Sequence, residues 1–321
     1  MKVLVLGGTG AMGIHLVKLL SESGFEIVVT SRKRRESSKN VRYIQGNAND
    51  IIFLKSILKE KWDVIIDFMV YSIAKFNERV ELLLNTTSQY VFLSSARVYA
   101  DVEGPITESS SRLLDVSHDE DFLATDEYSL TKARQEDVLR NSGRTNWTII
   151  RPYITYAENR LQLGVLEKEE WLYRALKGRT IVFTEEINSK LTTLTYGFDV
   201  AKAMITVIGN NKALGEAFHI TSNKSNTWNF ISNIYIDVLE EHLGYKPQVL
   251  LLNSKAYNKI ESHKEYQIKY DRLFNRQFDN SKITNYFDDS FTPLDSGLRS
   301  SLKAFLSNPK FNNIDWKSEA L

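Results

Sequence analysis

The run Gly7-Gly8-Thr9-Gly10-Ala11-Met12-Gly13 follows directly on Val3-Leu4-Val5-Leu6 and opens a stretch with helical spacing. A buried strand that turns sharply into a helix aims free backbone N–H groups and the positive helix end at one spot, a natural seat for a diphosphate. In this reading Gly7 permits the turn, Gly10 lets the backbone approach the phosphates, and Gly13 lets the helix lie close on the strand. Thr9, Ala11 and Met12 complete the binding loop. The spacing is G-x-x-G-x-x-G rather than the commoner G-x-G-x-x-G, and its weight comes from the strand and helix on either side.

After the glycines, extended and helical patterns alternate. Strands are expected over 2–6, 26–30, 41–44, 63–69, 89–94 and 147–150, and helices over 11–23, 52–59, 77–84 and 126–141. In the first helix Met12, Leu16, Leu19 and Leu20 are expected inward, with Gly24 as the stop. Such alternation implies an α/β, Rossmann-type doubly wound parallel sheet with helices on both faces. Beyond Arg151 the rhythm loosens. Helices are expected over 167–177, 199–208, 227–243 and 295–306, and extended segments over 180–183, 217–221 and 248–252. The expected division is a dinucleotide-binding domain over 1–155, to which 192–215 returns, and a smaller C-terminal substrate lobe over 156–321. The polar stretch 101–127 holds nine Asp/Glu between a strand and its helix and reads as a loop or lid beside a ligand site.

Composition narrows the chemistry. The 321 residues suffice for a large core, and a net charge of +1 gives no reason to expect nucleic acid or a membrane as partner. Cysteine is absent and the five histidines show no ligand spacing, so a dedicated metal site is not expected. The four-residue apolar run at the start is too short for a secretory or spanning segment, and a cytoplasmic protein is the expectation.

The catalytic candidate is Tyr128-Ser129-Leu130-Thr131-Lys132. Residues four apart share a helix face, so a phenol and an ammonium can point into one cleft, where the cation would lower the phenol's pKa. Tyr128 could then exchange a proton with a substrate oxygen. The same spacing occurs at Tyr71–Lys75 and Tyr173–Lys177. Only Tyr128 follows the strand ending Val91-Phe92-Leu93-Ser94-Ser95, which sets two hydroxyls at the sheet's carboxyl edge. Tyr71 lies near the same edge and stays a rival; Tyr173 reads as helix surface or core.

Together these residues resemble the short-chain dehydrogenase/reductase family, in its extended class acting on nucleotide sugars. The resemblance spans almost the whole chain: Gly7–Gly13, Ser94-Ser95-Ala96-Arg97-Val98-Tyr99, Tyr128–Lys132, Arg151-Pro152, Asp279-Asn280-Ser281-Lys282 and Gly297-Leu298-Arg299 stand in the family's order. It implies that Ser95 hydrogen-bonds the substrate oxygen, that Tyr128 is the general acid/base, and that Lys132 holds the nicotinamide ribose and lowers the tyrosine pKa. Ser94 reads as structural. A homodimer packed through two helices of each subunit is also implied.

Departures from the family pattern choose among its activities. The second strand ends Thr30-Ser31-Arg32-Lys33-Arg34-Arg35, with no carboxylate before Glu36 to accept from ribose hydroxyls. Ser31 and Arg32 suit a 2′-phosphate, which favours NADP over NAD. Asn47 stands where relatives place the aspartate that contacts adenine. Ala96-Arg97 replaces the Asp-Glu pair of dehydratases, so dehydration lacks its acid and base. Thr192 replaces an arginine that binds the nucleotide diphosphate, a charge left to Lys190, Arg179 or Arg160; Ile154 replaces a substrate asparagine. Trp171 fits either a nucleobase or the core. The expected activity is NADP-dependent reduction of a nucleotide-linked keto sugar, such as a deoxythymidine- or uridine-diphosphate 4-keto-6-deoxyhexose. An epimerase with the same three residues, and a non-catalytic NADP-binding relative, are the alternatives.

Overall fold

A computed structural model describes residues 1–260, 264–288, 290–312 and 314. Its centre is a seven-stranded, all-parallel sheet. The strands are β1 (Lys2–Leu6), β2 (Glu26–Ser31), β3 (Val41–Gln45), β4 (Trp62–Asp67), β5 (Thr87–Leu93), β6 (Trp147–Pro152) and β7 (Glu216–Ile220), in spatial order β7-β6-β5-β4-β1-β2-β3. The order reverses between β1 and β4, and ligands of open parallel sheets sit at the carboxyl ends of the strands flanking such a reversal. The strands are near-continuous apolar runs because both faces are covered: Val3, Val5, Val29, Ile66 and Phe218 pack on one side, and Leu4, Leu6, Ile65, Tyr90 and Ile149 on the other. Helices α1 (Gly13–Glu22), α2 (Ile51–Ile57), α3 (Ile73–Asn85), α4 (Tyr128–Arg140) and α5 (Gly197–Val207) supply the cover.

Three expectations need correction. The extended segment at 217–221, expected in the smaller lobe, is the outer strand β7, paired with β6 from Glu216↔Thr148 to Ile220↔Pro152. Helix α1 starts at Gly13 rather than at 11, so Met12 precedes it; Met12 and Leu19 are partly buried and pack inward as expected, on the core in which Leu16, Val17 and Leu20 are buried. The stretch 101–127 is not an open lid. It forms two short helices, Leu113–Val116 and Glu120–Leu123. Phe122 stacks on Tyr270 at 4.0 Å, and Arg134 of α4 donates to the Thr125 carbonyl at 2.7 Å, so the segment is fastened between α4 and the C-terminal part.

The strand-to-helix corner shows why its glycines are needed. Gly7 has φ +74°, in the left-handed region that side chains disfavour. A Cβ on Gly13 would stand 2.7 Å from the Gly8 carbonyl carbon, with no flexible side chain to yield. Gly13→Ala is therefore expected to cost about 1–3 kcal/mol, as overpacking does. An unchanged urea midpoint would show that the corner relaxes freely.

The D-x-S-K segment is a fastener. Asn280 donates to the Thr221 carbonyl at 3.1 Å and the Lys282 ammonium to the Ala217 carbonyl at 2.9 Å, which ties the C-terminal part to β7. Among the described residues no helix is long and apolar enough to cross a membrane.

Candidate functional site

Two adjoining hollows lie along the carboxyl edge of the sheet, with Val70 bordering both. The smaller, about 250 Å³, is lined by Gly7, Thr9, Thr30, Ser31, Arg32 and Asn47 among others. The larger, about 470 Å³, contains Met12, Ser95, Tyr128 and Lys132, together with Arg97, Arg160 and Arg272. Secondary structure explains the convergence. β5 carries Ser94 and Ser95 to the edge, and α4 starts at Tyr128, so Tyr128 and Lys132 occupy its first two turns on one face.

The corner fits a dinucleotide on its own evidence. A Cβ at Gly10 would meet no protein atom within 4 Å, and no side chain caps the N-terminus of α1. That space and those backbone donors suit phosphate oxygens. Asn47 lines the hollow, and its side-chain Oδ1 accepts from the Asn49 N–H at 3.1 Å. The Ser31 hydroxyl donates to the Lys33 carbonyl at 2.8 Å, so Arg32, exposed beside it, is the stronger donor to a phosphate.

Tyr128 keeps 36 % of its surface open and lines the cavity together with Ser95. Its pKa is raised, with burial the largest cause; Arg97, Arg160 and Ser95 act against the rise. Lys132, expected to lower it, is not among the largest causes. Lys132 is 2 % exposed, donates from Nζ to the Leu93 carbonyl at 2.7 Å, and stands 4.6 Å from the Phe92 ring centre. Burial pulls its pKa down to about 8, against the attraction of Asp67 and Glu136.

The rival tyrosines separate from the site. Tyr71 is 2 % exposed, and its hydroxyl bonds to the buried Asp67 carboxylate at 3.2 Å. Tyr173 packs edge-on against Phe311. Trp171 belongs to the core: its indole donates to the Leu161 carbonyl at 3.1 Å and stacks on Tyr235 at 4.7 Å. Of the three cations considered for a diphosphate, Arg160 borders the cavity, while Lys190 and Arg179 are not among its lining.

Ser94 also borders the cavity, but its hydroxyl is engaged, donating to Glu136 at 2.6 Å. Glu136 also accepts from Arg151 Nε at 2.8 Å, and Arg151 reaches the Tyr99 hydroxyl at 2.9 Å. Tyr99 in turn meets His219 Nδ1 at 3.2 Å, whose Nε2 lies 2.6 Å from the Asp279 carbonyl. Motif residues Ser94, Tyr99 and Arg151, joined by Glu136 and His219, thus form one buried polar chain that ends on the backbone carbonyl of the exposed Asp279 and braces β5, β6 and β7 behind the site.

Arg97 and Arg272 are site residues that the sequence alone does not assign. Arg97 is legible there only as a lost carboxylate. Nothing local marks Arg272, which a π-helical turn over Ile268–Arg272 brings to the cavity.

The model of the NAD dependent epimerase/dehydratase family matches residues 3–221. The chain is 27% identical over 242 residues to a chloroplast stem-loop binding protein of 41 kDa b from Arabidopsis thaliana, covering 70% of this chain and 59% of that one. It is 26% identical over 152 residues to a UDP-glucose 4-epimerase from Lactobacillus helveticus, covering 43% and 46%. The match thus spans about half the length of these curated relatives. Among solved structures, the epimerase Mth375 from Methanothermobacter thermautotrophicus superposes with a TM-score of 0.72 at 18% identity, over 96% of this chain and 92% of that one, a likeness of fold. With the family's model matched from β1 through β7, the chain belongs to the NAD dependent epimerase/dehydratase family.

Proposed function

We propose that the chain is an NADP-dependent reductase of a nucleotide-linked keto sugar. The observation that carries this reading is the meeting of Ser95, Tyr128 and Lys132 in a cavity that adjoins the Gly7–Ser31–Arg32 hollow. When bound, the reduced nicotinamide supplies a hydride to a carbonyl carbon. Tyr128 gives the proton that the new alkoxide needs, and Ser95 donates to the same oxygen as charge builds on it. Lys132 holds the nicotinamide ribose. Arg160, paired with Glu167 at 3.6 Å, faces the nucleotide diphosphate. Gly10, Ala11, Met12 and Gly13 offer backbone N–H groups to the pyrophosphate, and Asn47 its amide to the adenine.

The raised phenol pKa supports reduction over epimerisation. A phenol held protonated is ready to act as an acid, whereas an epimerase must begin by taking a proton from the sugar. Similarity to a UDP-glucose 4-epimerase favours the second reading, an epimerase built on the same three residues. Incubating the full chain with NADPH or NADH and a panel of nucleotide-linked keto sugars separates them. Net cofactor oxidation is expected; interconversion of sugar epimers without it would replace the reductase by the epimerase.

Cofactor choice has its own test. Arg32→Ala is expected to weaken NADPH binding by about 10- to 100-fold, the worth of a charge-assisted fork on phosphate. NADH binding should move less than threefold, by fluorescence titration of both cofactors. Equal losses for the two would place Arg32 outside the 2′-phosphate site.

A further inference from the structure

Arg97 stands two residues after Ser95, and its guanidinium lies 5.3 Å from the centre of the Tyr128 ring. Two carboxylates hold it there. Its Nη2 donates to Glu127 Oε1 at 2.5 Å, and Glu127 also caps α4 by accepting from the Ser129 N–H at 2.5 Å. Its Nε lies 3.6 Å from Asp271 Oδ2, beyond hydrogen-bond distance, and is a buried donor with no partner among the described residues. Asp271 is itself shared: Arg276 Nε donates to it at 3.0 Å, Tyr153 at 3.0 Å, and Arg272 pairs with its other oxygen.

The charges of this cluster do not balance. Arg97, Arg272 and Arg276 bring three positive charges against two from Glu127 and Asp271, leaving +1. Arg272 and Arg276 are 2 % and 1 % exposed, and both are held below the ordinary guanidinium range, by burial first and with the charge of Arg97 contributing. Asp101, the next carboxylate acting on Arg276, sits on the exposed surface. A buried excess charge is costly unless a counter-charge completes it. The cluster opens to the cavity through Arg97 and Arg272, beside Ser95 and Tyr128.

We propose that Arg97 is the specificity-determining residue of this site and receives a carboxylate carried on the reacting sugar ring, so that the substrate is a nucleotide-linked sugar acid. The inference rests on the nucleotide-sugar reading above and narrows it, replacing the 6-deoxy ring expected from the sequence. A monoanion matches the single missing charge. A planar carboxylate also suits a guanidinium that borders the cavity, although its buried Nε faces Asp271 and only the rest of the group is open to a ligand. Location distinguishes this role from diphosphate binding, because Arg97 lies against the phenol that serves the reacting carbon.

The test measures binding to the full chain by calorimetry, using UDP-glucuronate, UDP-glucose and UDP, together with glucuronate 1-phosphate and glucose 1-phosphate. Wild type is expected to prefer the acid of each pair by about 10-fold or more, and Arg97→Gln to lose about 10- to 100-fold toward the acid alone. Arg97→Lys, which keeps the charge and loses the fork, should recover part of the preference. No preference in wild type, or an equal loss for UDP, UDP-glucose and UDP-glucuronate in Arg97→Gln, would overturn the proposal. Should none of the three uridine ligands bind, the uridine form of the nucleotide-sugar reading fails and the 1-phosphate pair still decides: a preference for the acid that Arg97→Gln removes upholds the carboxylate site, and its absence rejects it.

Discussion

Tyr128→Phe is expected to lower kcat by about 10²- to 10⁴-fold, the usual worth of a positioned acid, while the Kd for NADPH changes less than threefold. The substitution removes one hydroxyl and keeps the ring on which Arg97 rests, so packing and the cofactor hollow stay intact. No neighbouring phenol can take over. Tyr71 is sealed against Asp67, with its pKa pushed far up by burial and by that carboxylate. Tyr153 is 8 % exposed and committed to Asp271. Substrate turnover in Tyr128→Phe within tenfold of wild type would remove Tyr128 from the mechanism. The same geometry sets the pH profile. With its pKa raised, the phenol stays protonated through neutrality, and Lys132, at about 8, gives up its proton first. Reductive kcat/KM should therefore be flat below pH 7 and decline above about pH 8, with the phenol adding a further fall only at higher pH.

How far the sequence carries depends on the range of each interaction. The glycine corner, the alternation of strands and helices, and the Tyr128/Lys132 pair are local patterns, set by a turn, a period or a spacing of four, and each is readable in a short window. Ser95 is nearly as local, because a strand end fixes its place at the sheet edge. Arg97 and Asp271 are 174 residues apart and meet only after the C-terminal part folds back, so no periodicity announces them. The π-helical turn that delivers Arg272 alters helical phase by one residue, which a reading at 3.6 residues per turn misses. Strand β7 escapes for a related reason: its partner β6 precedes it by more than sixty residues, and only the pairing shows which sheet it joins. The direction of the Tyr128 shift is likewise out of reach, since burial outweighs charge there and burial is a property of the fold. Glu136, by contrast, leaves a trace. It lies four residues beyond Lys132, on the same face of α4, and an acid at that spacing from a buried lysine is a sign of an internal pair.

That carboxylate is where the largest loss of stability is expected. Glu136 is fully buried, accepting from Ser94 and from two nitrogens of Arg151, with Arg112 Nη1 3.5 Å away. Removing one partner of a buried ion pair strands the other: Glu136→Ala would leave Arg151, 1 % exposed, without its counter-charge, at a cost of about 3–5 kcal/mol. Glu136→Gln keeps the shape and some hydrogen bonds and should cost less, so urea unfolding ought to rank wild type above Gln and Gln above Ala. The pH dependence separates charge from packing. The guanidinium of Arg151 and the Ser94 hydroxyl hold the Glu136 carboxyl below its ordinary pKa despite its burial. A depressed carboxyl contributes stability that is present above its unfolded value, near 4.3, and is lost as pH falls through its folded value. The gap between wild type and Glu136→Gln should thus be constant from pH 6 to 8 and shrink in acid below about pH 4. A gap that persisted unchanged into acid would mean that Glu136 braces β5 against β6 by shape alone. Ser95, delivered by β5, would then owe its position to packing rather than to the buried charge behind it.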